Sequence, residues 1–137
     1  MHLLPTIIVM SAMAAPAAGM AGDITVSIEG LRSDRGSVRV AVCPEDSFTK
    51  PSCPYTASVP ATSAQVTVDD VPDGIYAVQA YHDENSDQKL NRRGLRPFEG
   101  LAFSNDAPMR FGPPRFPDAA VRVRGDGRIT LNMRYYQ

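Results

Sequence analysis

Apolar and polar residues alternate in short runs along most of this chain. From Asp23 to Gly30, Ile24, Val26 and Ile28 alternate with Thr25, Ser27 and Glu29. A period of two places one face of a strand on a core. The same period returns from Ser37 to Cys43, and around Val66 and Val68 in Gln65 to Asp69. Ile75 to His82 differs, because both faces are fairly apolar: Ile75, Ala77, Gln79 and Tyr81 on one, Tyr76, Val78, Ala80 and His82 on the other. That pattern predicts a central strand. Ala119 to Val123 and Arg128 to Tyr135 read as the last two strands, with Tyr135 and Tyr136 as edge packing.

Turn formers punctuate these runs. Asp34-Arg35-Gly36 predicts a hairpin between the first two strands, and Gly125-Asp126-Gly127 one between the last two. Val71-Pro72-Asp73-Gly74 predicts a tight turn before the central strand. Residues 45–60 are rich in Pro and Ser and read as a connection. Pro108 to Asp118 holds Pro108, Pro113, Pro114 and Pro117 and excludes regular helix or central strand. Phe111 and Phe116 are expected to pin it to the domain. No amphipathic helix of useful length and no internal repeat is evident. The expected fold is all-β: an antiparallel immunoglobulin-like (prealbumin-like) β-sandwich with one long loop over one end.

The start of the chain changes the domain picture. Residues 1–21 are apolar, rich in small residues and free of Asp, Glu, Lys and Arg. Ala21, with Gly19 two before it, suits a signal cleavage site. The n-region departs from the usual pattern, offering only the amino terminus and His2. A secretory signal is expected, with an uncleaved anchor as the alternative and no membrane span left after cleavage. No cysteine follows closely enough for a lipid anchor. Residues 22–137 then form a single domain, periplasmic or secreted. The formal charge of −1 is nearly neutral. Acids prevail before Asp83 and bases after it, too mildly for a nucleic-acid surface.

Cys43 and Cys53 are the chain's two cysteines. In an oxidising compartment so close a pair is most simply a disulfide. The spacing is not that of a C-x-x-C redox pair, and one further histidine makes a thin metal ligand set.

Candidate chemistry gathers between His82 and Asn105, a polar stretch too rich in turn formers for another strand. Asp83, Asn85 and Asp87 alternate like the first ligands of a calcium loop. Lys89 could add its backbone oxygen and Asn91 its side chain. Gln88 stands where such a loop has glycine, and Gly94 where it has glutamate. The competing reading is a solvated turn, since Asp and Asn cap their own backbone. Arg92, Arg93 and Arg96 either bind an anionic partner or pair with Asp83, Glu84 and Asp87 to close the loop on itself. Phe98, Leu101 and Phe103 read as a plug over one end of the sandwich, or as an apolar partner site with a charged rim. His82, beside Asp83 and Glu84, could be an acid–base residue or a hydrogen-bonded anchor of the loop. Glu99 is the other weak catalytic candidate. Ser86 and Ser104 lack a G-x-S-x-G setting. A small domain without tryptophan leaves little room for a glycosidase cleft.

Three motifs carry a resemblance. They are G-x-Y-A-V-x-x-Y-H-D-E-N at Gly74 to Asn85, E-G-x-x-F-S-N at Glu99 to Asn105, and G-P-P-x-F-x-D-A at Gly112 to Ala119. In this order they resemble the bacterial secreted domain-of-unknown-function family 2141. The resemblance implies an exported or periplasmic β-sandwich similar to transthyretin-like and carboxypeptidase-regulatory-like modules, and it implies no activity. Relatives often carry N-x-N/D-G-K-L-D where this chain has Asn85 to Asn91, without the glycine and with Asn in place of the last acid.

The functional expectation is a non-enzymatic binding or interaction module. Its site is the loop 82–105, calcium is a candidate cofactor, and the partner is a protein or envelope ligand that the sequence does not name. The alternatives are a small periplasmic hydrolase using His82 with Asp83 or Glu84, and a purely structural envelope protein.

Overall fold

The computed structural model describes Leu3, residues 21–87 and 99–136, and the backbone of 92–93 and 96–97. Most of the described chain is strand. In order the strands are β1 (Ala21–Glu29), β2 (Ser37–Cys43), β3 (Tyr55–Pro60), β4 (Gln65–Pro72), β5 (Gly74–Asp83), β6 (Arg92–Arg93), β7 (Arg96–Pro97), β8 (Leu101–Phe103), β9 (Ala120–Val123) and β10 (Gly127–Asn132). A 3-10 turn (Ser104–Asp106) follows β8, and a four-residue helix, α1 (Phe116–Ala119), precedes β9. Among the described residues no helix is long and apolar enough to cross a membrane.

Two sheets pack face to face. One has the order β10-β1-β4. The other has the order β3-β2-β5-β8, with β9 also paired to β5. The alternating residues seen in the sequence fill the space between them. Ile24, Val26, Ile28, Val66, Val68 and Leu131 come from the first sheet. Val38, Val40, Val42, Tyr76, Val78 and Ala80 come from the second. Each fully buried side chain of this kind contributes about 1.5–3 kcal/mol by leaving water. The fold is therefore an all-β sandwich, as the periodicity requires.

The second sheet is apolar on its outer face as well. Cys43, Ala77, Leu101 and Phe103 point outwards there, and Phe48, Ala107 and Ala119 cover them. Phe48 meets Phe103 and Phe116 edge to face. This explains why β5 is apolar on both sides: β2 flanks one edge, β8 and β9 the other, and each face carries a packed layer. The disulfide Cys43–Cys53, with a Cα–Cα distance of 5.2 Å, staples the 44–53 segment over this outer layer.

Several expectations are corrected. Residues 45–60 are not all connection, because Tyr55–Pro60 forms β3 against β2. An edge strand can hold prolines at its ends, where no ladder donor is needed, so Pro54 and Pro60 hid it. The expected hairpins at 34–36 and 125–127 do not form. In each case the two strands lie in different sheets, and the turn is a crossing between layers. β10 instead runs parallel to β1, from Ile24↔Gly127 to Glu29↔Asn132, so the sandwich is not wholly antiparallel. Strand alternation cannot distinguish a hairpin from a layer crossing, since both need a tight turn. Phe111 does not pin its loop: it is 97% exposed. Phe116 does pack, on the outer layer. It opens α1, where Pro117 is tolerated in the first turn because that N–H needs no helical partner. Within the long loop β6 and β7 pair as a two-stranded ribbon.

Closing a loop with a sequence separation of 10 stabilises a domain by roughly 2–3 kcal/mol in the chain-entropy account. Denaturant unfolding with and without reductant is expected to show a loss of that size. Equal midpoints would show that the stapled segment adds nothing to the fold.

Candidate functional site

β5 ends by sending successive side chains to opposite faces. His82 points inwards and Asp83 outwards, as residues adjacent on a strand must. His82 is fully buried. Its Nε2 lies 2.7 Å from the Arg35 carbonyl oxygen, which can only accept, so Nε2 carries the proton. Nδ1 lies 2.8 Å from the Tyr135 hydroxyl and accepts its proton. The same hydroxyl oxygen accepts the Arg32 N–H at 3.0 Å. Burial pushes the Tyr135 phenol above its ordinary pKa, and the nearby Glu84 charge adds to this against the Arg32 interactions, so it stays a donor at neutral pH. The histidine thus bridges the β1–β2 crossing and the C-terminal segment. Both ring nitrogens are engaged and neither faces solvent. Tyr135 is part of this bridge rather than edge packing.

The crossing fits because Gly36 sits in the left-handed region, φ +71, against the end of β5. A Cβ there would meet the Asp83 carbonyl oxygen at 1.9 Å. Gly100 is tight on the other side, with the Tyr135 ring 2.6 Å from where its Cβ would be.

Glu84 locks the same corner from outside. Its carboxylate accepts from Arg32 Nε at 2.8 Å and Nη2 at 2.5 Å. It also accepts from Ser33 Oγ at 3.0 Å and Arg35 Nη2 at 3.1 Å. The Arg32 guanidinium also lies 4.4 Å above the centre of the Tyr135 ring, a cation–π contact. Burial alone would raise the Glu84 pKa. The Arg32 and Ser33 hydrogen bonds and the charge of Arg32 outweigh it and hold the carboxyl below the ordinary glutamate value. The cations on Glu84 come from the β1–β2 crossing, where the sequence pointed instead to Arg92, Arg93 and Arg96. The side chains of those three, with Phe98, Lys89 and Asn91, lie outside the described residues.

The outer side of the corner is acidic. Asp83 is fully buried, with Arg39 Nε 3.5 Å from its Oδ2. The turn that follows is built by its own side chains. Asp87 donates its N–H to Asp83 Oδ1 at 3.2 Å and Asn85 Oδ1 at 3.3 Å, and Ser86 takes φ 55. This turn, and the return of the chain at Glu99, bring three carboxylates together. Asp83, Asp87 and Glu99 each offer an oxygen, all within 4.8 Å of one another. Asp83 and Glu99 are buried, and Asp87 is exposed. Oxygens bound to one calcium at 2.3–2.6 Å lie at most about 5 Å apart, so the donor set fits a hard divalent cation. Exposed Asp87 leaves an approach for the cation and for waters to complete its shell. Glu99 is the member the sequence spacing did not place, because it enters from across the loop.

Ser104 has a different task. β5 pairs with β9 over Gly74–Ala77 and with β8 over Gln79–Tyr81, leaving Val78 between them. Ser104 Oγ fills the gap, accepting the Val78 N–H at 2.9 Å and donating to the Ala119 carbonyl at 2.5 Å. Phe103 is buried in the outer layer.

Two outcomes follow. Tyr135→Phe strips the buried Nδ1 of His82 and the Arg32 N–H of their shared partner, at a cost of about 1–3 kcal/mol. Denaturant unfolding of a still-folded variant checks this, and an unchanged stability would contradict the bridge. The second concerns pH. Glu84 has a folded pKa below its unfolded value of roughly 4.3, so its contribution is complete above that value and lost as pH falls through the folded one. Glu84→Gln is therefore expected to flatten the acid limb of a melting-temperature profile below about pH 4.5. Parallel acid limbs would refute it.

The geometry can now be set beside known proteins. No curated protein and no solved structure is matched by this chain. A family of uncharacterised proteins conserved in bacteria, DUF2141, matches residues 26–131, from within β1 to within β10, and Tyr135 lies beyond the match. The chain belongs to that family.

Proposed function

We propose that this protein is an exported, non-enzymatic binding module whose working end is the segment 82–105, ordered by a calcium ion on Asp83, Asp87 and Glu99. The observation that carries this reading is the convergence of the three carboxylates within 4.8 Å, two of them buried. Buried carboxylates placed side by side repel unless a positive charge joins them. Arg39 supplies one such charge at Asp83. A divalent cation on the three carboxylates would tie the turn at 83–87 to the returning chain at Glu99. Export is supported by the apolar first 21 residues and by the Cys43–Cys53 bond, which suits an oxidising compartment.

The hydrolase alternative draws no support from the geometry. His82 and Asp83 leave opposite faces of β5, and Glu84 is held by two arginines. With both nitrogens spent on buried partners, His82 has no lone pair or proton to offer a substrate.

Thermal unfolding tests the cation. A ligand bound only by the folded state stabilises it by about 2.7 kcal/mol at one hundred times its Kd. Millimolar calcium is expected to raise the melting temperature by several degrees in the wild type and not in an Asp87→Asn, Glu99→Gln double variant. A wild type that ignores calcium would mean that Arg39 and the turn hydrogen bonds satisfy the cluster without metal.

A further inference from the structure

The outer face of the second sheet is not fully covered. Between the stapled 44–53 segment and the 104–119 segment, two concavities share Lys50, Pro51, Gln79 and Tyr81, so they form one trough across β5. One end, about 340 Å³, is walled by Leu101, Phe103, Met109 and Pro113. The other, about 370 Å³, opens between β2 and β3 towards Arg39 and Ser58. Each is the size of a modest small-molecule pocket, roughly 300–1,000 Å³. An apolar end joined to a few convergent polar groups is the usual composition of such a site.

The polar groups on the shared floor are not consumed by the fold. Among the described residues Lys50 makes no ion pair, and neither the Gln79 amide nor the Tyr81 hydroxyl makes a hydrogen bond. Burial pushes the Tyr81 phenol up, so it remains a neutral donor. Lys50 is also positioned. It lies inside the disulfide loop, its N–H bonded to the Ser47 carbonyl at 3.0 Å, with Phe48 two residues earlier buried beneath it in the outer layer. The trough carries two cations: Arg39 lines its polar end and Lys50 stands at the junction with the apolar wall. Arg39 acts on the Tyr81 hydroxyl against the carboxylates of Asp83, Glu99 and Asp87.

We infer that this trough binds a small amphipathic carboxylate. The head group lies at Lys50 and accepts hydrogen bonds from Gln79 and Tyr81. The short aliphatic or aryl tail lies on Leu101, Phe103 and Met109. The inference deepens the binding-module reading and rests on it, but calcium has no part in it. A carboxylate at Lys50 gains a charge-assisted hydrogen bond, and the tail gains by leaving water.

Octanoate is the probe, with octanol and acetate as its separated halves, titrated into disulfide-intact protein in EDTA and followed by amide NMR shifts. Octanoate is expected to give saturable shifts centred on Lys50, Gln79, Tyr81 and Leu101. Octanol should bind at least threefold more weakly, and acetate should not saturate. Lys50→Gln lies on an exposed loop and should leave the melting temperature of the free protein unchanged. It should weaken octanoate about three- to tenfold without changing octanol. Gln79→Trp, which fills the floor, should abolish both. Absence of saturation with octanoate, shifts centred elsewhere, or equal octanoate binding by the wild type and Lys50→Gln would each overturn the inference. The calcium titration is separate. A protein that ignores calcium yet binds octanoate refutes only the metal, and one that responds to calcium but not to octanoate refutes only the trough.

Discussion

The corner at the end of β5 depends on one buried histidine. His82 closes the sandwich interior by joining the Arg35 carbonyl of the β1–β2 crossing to the Tyr135 hydroxyl of the C-terminal segment. Without such a bridge, the β1–β2 crossing, the end of β5 and the C-terminal segment would meet at an end with unsatisfied polar groups. Burial there is costly unless each donor and acceptor is matched, and here the Arg32 N–H, the phenol and both imidazole nitrogens form one continuous chain. Backbone bonds surround it. The His82 N–H reaches the Gly100 carbonyl at 3.0 Å, and Leu101 and Arg134 exchange bonds at 2.9 Å in both directions. Met133 continues this to the first sheet through the Glu29 carbonyl at 2.7 Å. The last residues thus stitch the two layers together at the root of the long loop.

This frame decides what the loop can do. With His82 inside and Asp83 outside, the interior side of the corner is structural and the exposed side is chemical. The Asx-type turn at 83–87 and the return at Glu99 are both anchored to strands, so the carboxylates are held by the scaffold. The disulfide loop and the 104–119 segment make the outer face of the second sheet a second, partial core. Where they fail to meet, a concavity with unspent polar groups remains.

Side-chain alternation disclosed β1, β2, β4, β5, β9 and β10, and β5 as central because both its faces were apolar; it missed β6, β7 and β8, which lie in a stretch too rich in turn formers to read as strand. The sequence disclosed the disulfide through the close spacing of the two cysteines. It hid the layer crossings, because a turn of Asp, Arg and Gly serves a hairpin and a sheet change alike, and only pairing across the fold separates them. It hid β3 because Pro54 and Pro60 mask a short edge strand. In the site, Asp83 and Asp87 were legible from local spacing. Glu99, Arg32, Arg35, Arg39 and Tyr135 were not, since each arrives from a distant element and its role follows from register. Phe111 reversed its expectation, since the expected anchor is exposed, whereas Phe103 is buried, in keeping with its reading as a plug.

Native-state hydrogen exchange tests the central claim, that the root of the long loop is a rigid part of the sandwich, most directly. If the His82 bridge and the Leu101–Arg134 bonds close the corner, the amides of His82, Leu101, Met133 and Arg134 will exchange as slowly as those of Val40 and Val78 in the core, by opening of the whole domain. If they exchange at the rates of exposed turns while Val40 and Val78 stay protected, the corner opens on its own, and a site that needs Asp83 and Glu99 held together has no rigid base.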